Sequence, residues 1–306
     1  MSVIPNMSDN LLKSAGRAIF RGYLSKFPLR DGKAYFYKRL HQRLLPPVRL
    51  IIVTLDKGFR MQLDLADPEQ RQVYFFGHYH ERYEAALVAD LLDPGEVFWD
   101  VGANIGYFAL VAAAAVGDPG QVLAFEPGTA ALERLRANLA LNHYKNMVIY
   151  PLAVAEAEGE ATLYRAEGIA DSSASLFAAL AGSAGGEVCR TVALDGFLKK
   201  EKLRPPDFLK LDVEGAELRA LQGAAQILAE HRPLLLVEME EKNLRAAGAS
   251  KAAIQAFLTD FGYRPAHLRK GRWRPIAEVI ATRSRNLFWF NPALAIHRKK
   301  AWRIGI

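Results

Sequence analysis

The sequence predicts an α/β fold built on a doubly wound, mostly parallel sheet. Short apolar runs that are typical of buried strands alternate with helical patterns along most of the chain. Several of these runs end in a carboxylate, and one is followed directly by a glycine-spaced turn. The 306 residues are 51% hydrophobic, which is enough to form a substantial core.

The glycine-spaced turn lies within residues 97–107, VFWDVGANIGY. A buried strand carries Asp100 near its end, Gly102 and Gly106 follow, and a helical pattern then begins. This arrangement lets a ligand approach the backbone at a helix N-terminus. A dinucleotide fingerprint needs a second glycine where this chain has Asn104, so a nicotinamide cofactor is disfavoured. Asp100 also suits a cationic ligand better than a phosphate.

The next strand, residues 121–125, is followed by Glu126 and Pro127. Glu126 comes 20 residues after Gly106. This is about the ~20-residue spacing at which an acidic side chain accepts hydrogen bonds from ribose hydroxyls. The alternative is a surface glutamate in a strand-to-helix loop, but the preceding glycine turn favours the ribose role.

Two later strands also end in acidic residues. Residues 208–212 lead into Asp212 and Glu214, and residues 234–237 lead into Glu238. Ligands of doubly wound sheets bind beyond the carboxyl ends of the strands, so these acids should lie at one site with Asp100 and Glu126. Two alternatives remain open. Asp212 could cap the following helix, and Glu238 could pair with a basic residue such as Lys210.

Three ordered motifs, DVGANIG, AFEP and LKLDVEGAE, resemble those of the FkbM family of S-adenosylmethionine-dependent methyltransferases. The resemblance covers about residues 84–264. It implies a class I, Rossmann-like methyltransferase sheet of seven strands whose last strand is antiparallel. It also implies methylation of a hydroxyl on a sugar, a lipid-linked glycan or a small metabolite.

The resemblance gives the candidate residues specific roles. Asp212 is the first candidate for a catalytic base and Glu214 the second. In another version Asp212 and Glu238 hold Mg²⁺, which would acidify the acceptor hydroxyl. The cofactor-binding candidates, from the methionine end to the ribose and a nearby loop, are Asp100, Gly102, Asn104, Gly106, Glu126 and Ser173.

Charge divides the chain into three parts. Residues 1–60 hold twelve Lys and Arg against three acids, and residues 264–306 hold eleven against one. Between them, seventeen basic residues face twenty-nine acids. We therefore expect a basic N-terminal extension over 1–83 with an amphipathic helix, a hairpin and a further helical stretch that breaks around Gly77, the methyltransferase domain over 84–264, and basic strands over 265–306 that complete the sheet. The pattern also predicts a strand over 147–154, a helix over 217–230 and a final strand over 293–297.

The basic ends suggest an anionic partner. Residues 8–27 predict an amphipathic helix with Ile19 and Tyr23 on an apolar face and Arg17 and Arg21 on a basic one. This helix could lie on a membrane, pack on the domain, or contact a second subunit. With one cysteine and no secretory signal, we expect a cytoplasmic protein, or one peripheral at the membrane.

Two other functions compete with the leading one. An RNA methyltransferase could use its basic ends to bind phosphates, but no aromatic RNP stretch or GXXG clamp is present, which disfavours nucleic acid. A non-catalytic scaffold that only binds the cofactor is disfavoured because all the edge acids and the glycine turn are intact.

Overall fold

The computed structural model divides the chain into two compact units, residues 1–82 and 83–306. Side chains are described from residue 13 onward. The described residues are 7–27, 32–55, 57–164, 175–177 and 186–306.

The first unit consists of helices and a β-hairpin, as predicted. Asp67 caps α3 by accepting hydrogen bonds from the amides of Glu69 and Gln70, with a proline at the first helical position. The predicted break after this helix is confirmed at Gly77, which has a left-handed φ of 76°. The elements are α1 (Met7–Lys26), α2 (Lys33–Leu40), β1 (Leu50–Thr54), β2 (Arg60–Asp64) and α3 (Pro68–Phe76).

The orientation of α1 differs from what its amphipathic pattern predicts. Arg17 and Arg21 point inward, where they donate to the backbone carbonyls of Leu44 and Tyr74 at 2.7 and 2.9 Å. The predicted apolar face is instead partly outward, and Ile19 is exposed. Carbonyl groups that end other elements need donors, and this need outweighed the preference for solvated guanidinium groups. In the described part of the chain, no helix is both long and apolar enough to cross a membrane.

The second unit holds the central sheet and the helices that cover it. Its central strands β3, β4, β9 and β10 consist almost entirely of buried residues, as the apolar runs predict. The elements are α4 (Arg82–Leu91), β3 (Val97–Val101), α5 (Tyr107–Val116), β4 (Gln121–Phe125), α6 (Thr129–Ala140), β5 (Met147–Tyr150), β6 (Ala153–Val154), β7 (Gly159–Tyr164), β8 (Gly186–Val192), α7 (Leu194–Lys200), β9 (Phe208–Leu211), α8 (Glu217–Gln222), α9 (Ala225–Glu230), β10 (Leu234–Glu238), α10 (Glu241–Ala246), α11 (Lys251–Asp260), β11 (Arg264–Arg269), β12 (Arg272–Pro275), β13 (Asn286–Phe290) and α12 (Ala295–Arg303).

Eight strands from the described residues form the main sheet in the order β12-β11-β13-β10-β9-β3-β4-β5. The five strands from β10 to β5 are mutually parallel, and β13 pairs antiparallel with β10. The antiparallel last strand is thus confirmed, while β12 extends the expected seven strands by one. After β5, the strands β6, β7 and β8 form a separate small sheet in the order β6-β8-β7.

Two predicted elements are divided in the structure. The predicted strand over 147–154 separates into β5, in the main sheet, and β6, in the small one. The predicted helix over 217–230 breaks near Gly223, where a Cβ would collide with the carbonyl of Ala155. The carboxylate of Asp195 then accepts the amides of Gln226 and Ile227 and so begins a separate helix, α9.

The predicted strand over 293–297 is wrong, because helix α12 begins at Ala295. Asn291 ends β13 and forms a turn in which its Oδ1 accepts the Ala293 amide. Its own amide donates to Nδ1 of buried His297 at 2.8 Å. Burial lowers the pKa of His297 to about 4, which keeps the ring neutral and able to accept that bond. These local bonds favour the turn and helix over extension of the sheet.

The loop after β3 passes directly over the end of β9. Gly102 has a φ of 80°, and a Cβ there would overlap the carbonyl oxygen of Asp212. The Asp212 amide donates to the Val101 carbonyl at 3.0 Å, which ties the two strand ends together. Glycine is therefore required at 102 both for the left-handed backbone and for the close approach.

We expect Gly102→Ala to destabilise the second unit more than Gly248→Ala. Gly248 also has a positive φ, 73°, but a Cβ there meets nothing within 4 Å. Gly248→Ala should therefore cost only the ~1–2 kcal/mol of a left-handed residue. Gly102→Ala adds a steric overlap with backbone. Urea unfolding of both variants measures the difference, and equal losses would contradict the packing role of Gly102.

Candidate active site

The carboxyl ends of the parallel strands bring the predicted acids to one edge of the sheet. Asp100 lies in β3, Glu126 follows β4, Asp212 follows β9, and Glu238 ends β10. Asp100, Glu126 and Glu238 are buried, whereas the side chain of Asp212 is 23% exposed. Buried carboxylates without partners are costly, so the partners of each acid determine what this edge can do.

Glu126 holds the glycine turn in place. Its Oε2 accepts the amide of Asn104 and its Oε1 accepts the amide of Gly128, both at 2.8 Å. The amides of Gly102 and Ala103 both donate to the carbonyl of Phe125 at 3.0 Å. The turn is therefore fixed against the end of β4.

The second half of the turn is supported by α6. Buried Asn138 donates to the carbonyl of Ile105 at 2.8 Å, and Leu135 packs so closely on Gly106 that a Cβ would collide with it. Asn104 adopts a left-handed φ of 48°. Its Oδ1 is buried and has no hydrogen-bond partner among the described residues. A strained residue with an unsatisfied oxygen indicates a position that a ligand donor completes.

Lys210 connects Asp100 to Asp212. Its Nζ lies 3.0 Å from Oδ2 of Asp212 and 3.7 Å from Oδ1 of Asp100, and it sits 4.7 Å from the ring centroid of Phe108. The side chain of Lys210 is only 3% exposed. A buried ammonium with a carboxylate on either side is well compensated, and removing one partner of such a group costs ~3–5 kcal/mol.

These contacts test the two alternatives. Lys210 pairs with Asp212 and Asp100, and Glu238 does pair with a basic residue, which is Arg285. Asp212 does not cap the next helix, since α8 begins only at Glu217 and the Asp212 carboxylate accepts the Lys210 bond. Burial raises the pKa of Asp100 to about 6 although Lys210 opposes the shift. Asp100 thus lies beneath the glycine turn as a buried group.

Glu238 pairs with Arg285, whose Nη2 lies 3.0 Å from Oε1. The other oxygen, Oε2, is buried without a hydrogen-bond partner in the described structure. Burial and the negative charges of Asp212 and Glu214 raise the pKa of Glu238 well above its ordinary value, against the effect of Arg285.

Glu214 is presented by a strained loop. It has a left-handed φ of 50°, its Oε2 accepts a hydrogen bond from the side-chain amide of Asn243, and its carbonyl accepts the Ser175 hydroxyl at 2.7 Å. The predicted ligand Ser173 lies outside the described residues. Ser175, two positions further along the chain, contacts this loop through its hydroxyl.

Glu217 fixes the loop that carries Glu214 through hydrogen bonds to its backbone. It is 1% exposed, and its carboxylate accepts the amides of Val213 and Gly215 at 3.1 Å. Burial raises the pKa of Glu217 to about 7, more than the backbone donors lower it. The loop that carries Glu214 is therefore fixed by a buried carboxylate, as the glycine turn is fixed by Glu126.

One oxygen from each of Asp212, Glu214 and Glu238 lies within 4.8 Å of the other two. The structure thus adds Glu214 to the two predicted metal ligands. Carboxylate oxygens are the donors that Mg²⁺ prefers, although each of the three acids already has a Lys, Arg or Asn partner.

The edge also fits the cofactor that the resemblance implies. The unpartnered Oδ1 of Asn104 can accept a hydrogen bond from an ammonium, and the carboxylate of Glu126 can accept hydrogen bonds from ribose hydroxyls. Asp100, Asp212 and Glu238 add acidic groups at the same edge of the sheet, which favours a positively charged ligand. The fit therefore rests on donor and acceptor chemistry already held in place by the protein.

Sequence reasoning missed three residues of the site, namely Ser175, Asn243 and Arg285. Asn243 and Ser175 reach Glu214 from 29 and 39 residues away, with no motif to mark them. Arg285 was within reach of prediction. Pairing the last strand antiparallel with β10 sets Asn286 opposite Glu238 and so brings Arg285 beside it.

We expect Glu217→Gln to change how stability depends on pH. Because folding raises the pKa of Glu217, the folded state keeps a proton that the unfolded chain releases near pH 4.5. Its contribution is complete below that pH and is lost as the pH rises through about 7. The wild type should lose on the order of 3 kcal/mol relative to Glu217→Gln over this range. Urea unfolding at pH 5 and pH 8 measures it, and parallel profiles would exclude the raised pKa.

The fold resembles solved methyltransferase structures. The FkbM methyltransferase of Methylobacillus flagellatus KT is 16% identical over 85% of this chain and 61% of its own, with a TM-score of 0.43. This chain therefore spans 61% of that protein's length. The S-adenosylmethionine-dependent O-methyltransferase of Thermotoga maritima is 13% identical over 80% of this chain and 93% of its own, with a TM-score of 0.40. These likenesses concern the fold alone.

No curated protein matches the sequence. A family does match it, since residues 100–265 fit the sequence pattern described as the methyltransferase FkbM domain. The matched range is more than half of the chain, and it contains the glycine turn, Glu126, Asp212 and Glu238. This protein belongs to the FkbM family of S-adenosylmethionine-dependent methyltransferases.

Proposed function

We propose that the protein methylates a hydroxyl group of a sugar, a lipid-linked glycan or a small metabolite. S-adenosylmethionine supplies a methyl group that its sulfonium already activates. The protein must hold the acceptor in line with that group, which is mostly a matter of proximity and orientation. The observation that carries the proposal is the convergence of Asp212, Glu214 and Glu238 beside the glycine turn.

The donor side is formed by the glycine turn and Glu126. Glu126 accepts the ribose hydroxyls while it continues to hold the amides of Asn104 and Gly128. Asn104 offers its unpartnered Oδ1 to the methionine end. Asp100 contributes negative charge from beneath the turn, where Lys210 compensates it in part.

The acceptor side is formed by the acids after β9 and β10. Asp212 is partly exposed, so its carboxylate can take the proton of an acceptor hydroxyl as methyl transfer proceeds. Lys210 holds that carboxylate in position through one of its oxygens. Glu214, on its strained loop, is the second candidate for the base.

A version with Mg²⁺ is favoured by one observation, the three carboxylate oxygens that lie within 4.8 Å of one another. Asp212 and Glu238, joined by Glu214, would hold the ion, which would stabilise an acceptor alkoxide. The ion would then relieve the mutual repulsion of the three carboxylates.

We expect Glu126→Gln to weaken S-adenosylmethionine binding by about 10- to 100-fold, from the ~1.5–3 kcal/mol of hydrogen bonds to a charged acceptor. Calorimetric titration measures the affinity. Glu133 is an exposed residue of α6, so Glu133→Gln is the matched control and should leave the affinity unchanged.

A ligand comparison separates direct contact from loop support. If Glu126 binds the ribose, Glu126→Gln should weaken the binding of S-adenosylhomocysteine more than the binding of its analogue that lacks the 2′-hydroxyl. Equal losses for the complete and the deoxy ligand would assign Glu126 to the turn alone. An unchanged affinity would remove it from the site.

We expect Asp212→Asn to lower turnover by about 10²- to 10⁴-fold, the usual contribution of a general base, while cofactor affinity changes little. The assay follows transfer of a labelled methyl group to sugars and glycolipids that the wild type accepts. Alkali-stable label identifies an ether product. Asp260→Asn on the exposed end of α11 serves as the control.

Chelation distinguishes the two versions of the acceptor side. Turnover that survives EDTA supports the base without metal, whereas turnover that is lost in EDTA and restored by Mg²⁺ supports the metal. Loss of turnover and cofactor affinity to the same extent would make Asp212 a structural residue. Label found in RNA and in no hydroxylated small acceptor would contradict the proposed substrate class.

A further inference from the structure

The first unit exposes a group of apolar and aromatic side chains where α1 ends and α2 begins. Ile19 is 75% exposed, Tyr35 is 61%, Phe27 is 48% and Phe36 is 43%. Tyr23 lies among them and is half-buried. We call these five residues the aromatic patch.

The patch is continuous rather than scattered. The ring of Tyr23 lies 5.5 Å from that of Phe27 and 6.0 Å from that of Phe36, measured between centroids. The rings of Tyr35 and Phe36 are 5.5 Å apart. Ile19 lies one turn before Tyr23 on α1. Single exposed apolar residues are ordinary, but a contiguous group indicates a surface that contacts something.

The internal contacts of α1 explain why this face points outward. Phe20 and Leu24 are buried on the opposite side of the helix. Arg17 and Arg21 are held there too, bonded to the carbonyls of Leu44 and Tyr74. The two arginines of α1 are therefore directed inward, and the helix exposes apolar side chains on its outer face.

Exposed cations adjoin the patch along the chain. Residues 10–55 contain ten Lys and Arg and one acid, of which Arg17 and Arg21 point inward. Lys26 adjoins Phe27, and Lys38 and Arg39 follow Tyr35 by about one helical turn; all three side chains are exposed, and we call them the basic rim. Aromatic groups within a basic rim match the chemistry of a membrane interface, where rings enter the headgroup layer and cations meet anionic headgroups.

We propose that the aromatic patch and its basic rim bind the surface of an anionic phospholipid bilayer. A second copy of the chain is a poorer occupant, because apposed patches would bring two positively charged rims together. Nucleic acid is also a poorer occupant, since Ile19, the most exposed member, offers no ring for a base to stack on.

Vesicle flotation of the whole protein tests the proposal. The wild type should float with vesicles of phosphatidylcholine mixed with phosphatidylglycerol and not with phosphatidylcholine alone, and salt should weaken its binding. Lys38→Glu with Arg39→Glu should reduce binding by at least about 30-fold, from ~1 kcal/mol for each cation lost. Phe27→Ser with Tyr35→Ser and Phe36→Ser should reduce it at least as much.

Matched variants keep the result interpretable. Lys145→Glu with Lys242→Glu changes the net charge equally at exposed positions of the second unit, and Val188→Ser removes an exposed apolar side chain there. Both should float as the wild type does, and all variants should keep S-adenosylmethionine affinity as evidence of folding.

Four results would overturn the proposal. The first is no flotation of the wild type, and the second is equal flotation of the patch variants. The third is a dimer in light scattering without vesicles that the serine variant dissociates, because this would assign the patch to a second copy. The fourth is binding to phosphatidylcholine alone with no effect of salt, because this would remove the role of the basic rim.

Discussion

The site depends on charge compensation by Lys210. Two carboxylates, Asp100 and Asp212, lie within 4 Å of its ammonium, which is buried and rests on the ring of Phe108. Register makes this arrangement possible. Asp100 and Lys210 are paired residues of the adjacent parallel strands β3 and β9, so they necessarily share a face. The glycine turn can then pass over the end of β9 without leaving an uncompensated charge beneath it.

Both loops of the site are fixed by a buried carboxylate that accepts hydrogen bonds from backbone amides. Glu126 fixes the glycine turn by accepting backbone amides, and Glu217 fixes the loop of Glu214 in the same way. Both loops contain left-handed non-glycine residues, Asn104 and Glu214, whose conformations need such support. Fixed loops reduce the entropy lost when a ligand binds, and this favours orientation as the main contribution of the protein.

Much of this could be predicted from the sequence because its signals are local. Apolar runs fix the central strands, and the parallel order places Asp100, Glu126, Asp212 and Glu238 at one edge. One error arises where a side chain satisfies a distant backbone group. Arg17 turned inward to reach a carbonyl 27 residues away, a choice that helical periodicity cannot reveal.

The two sides of the site also differ in how far the sequence motifs predict them. The proposed donor side is held by the bonds of Glu126 to amides 2 and 22 residues away, and both Glu126 and the glycine turn lie within the family motifs. The proposed acceptor side depends on Asn243, Ser175 and Arg285, which contact Glu214 and Glu238 from separate elements. Changes in those elements can move Glu214 and Glu238 without disturbing the glycine turn. A fold of this kind can therefore keep one methyl donor while its acceptor changes, because different parts of the chain bear the two tasks.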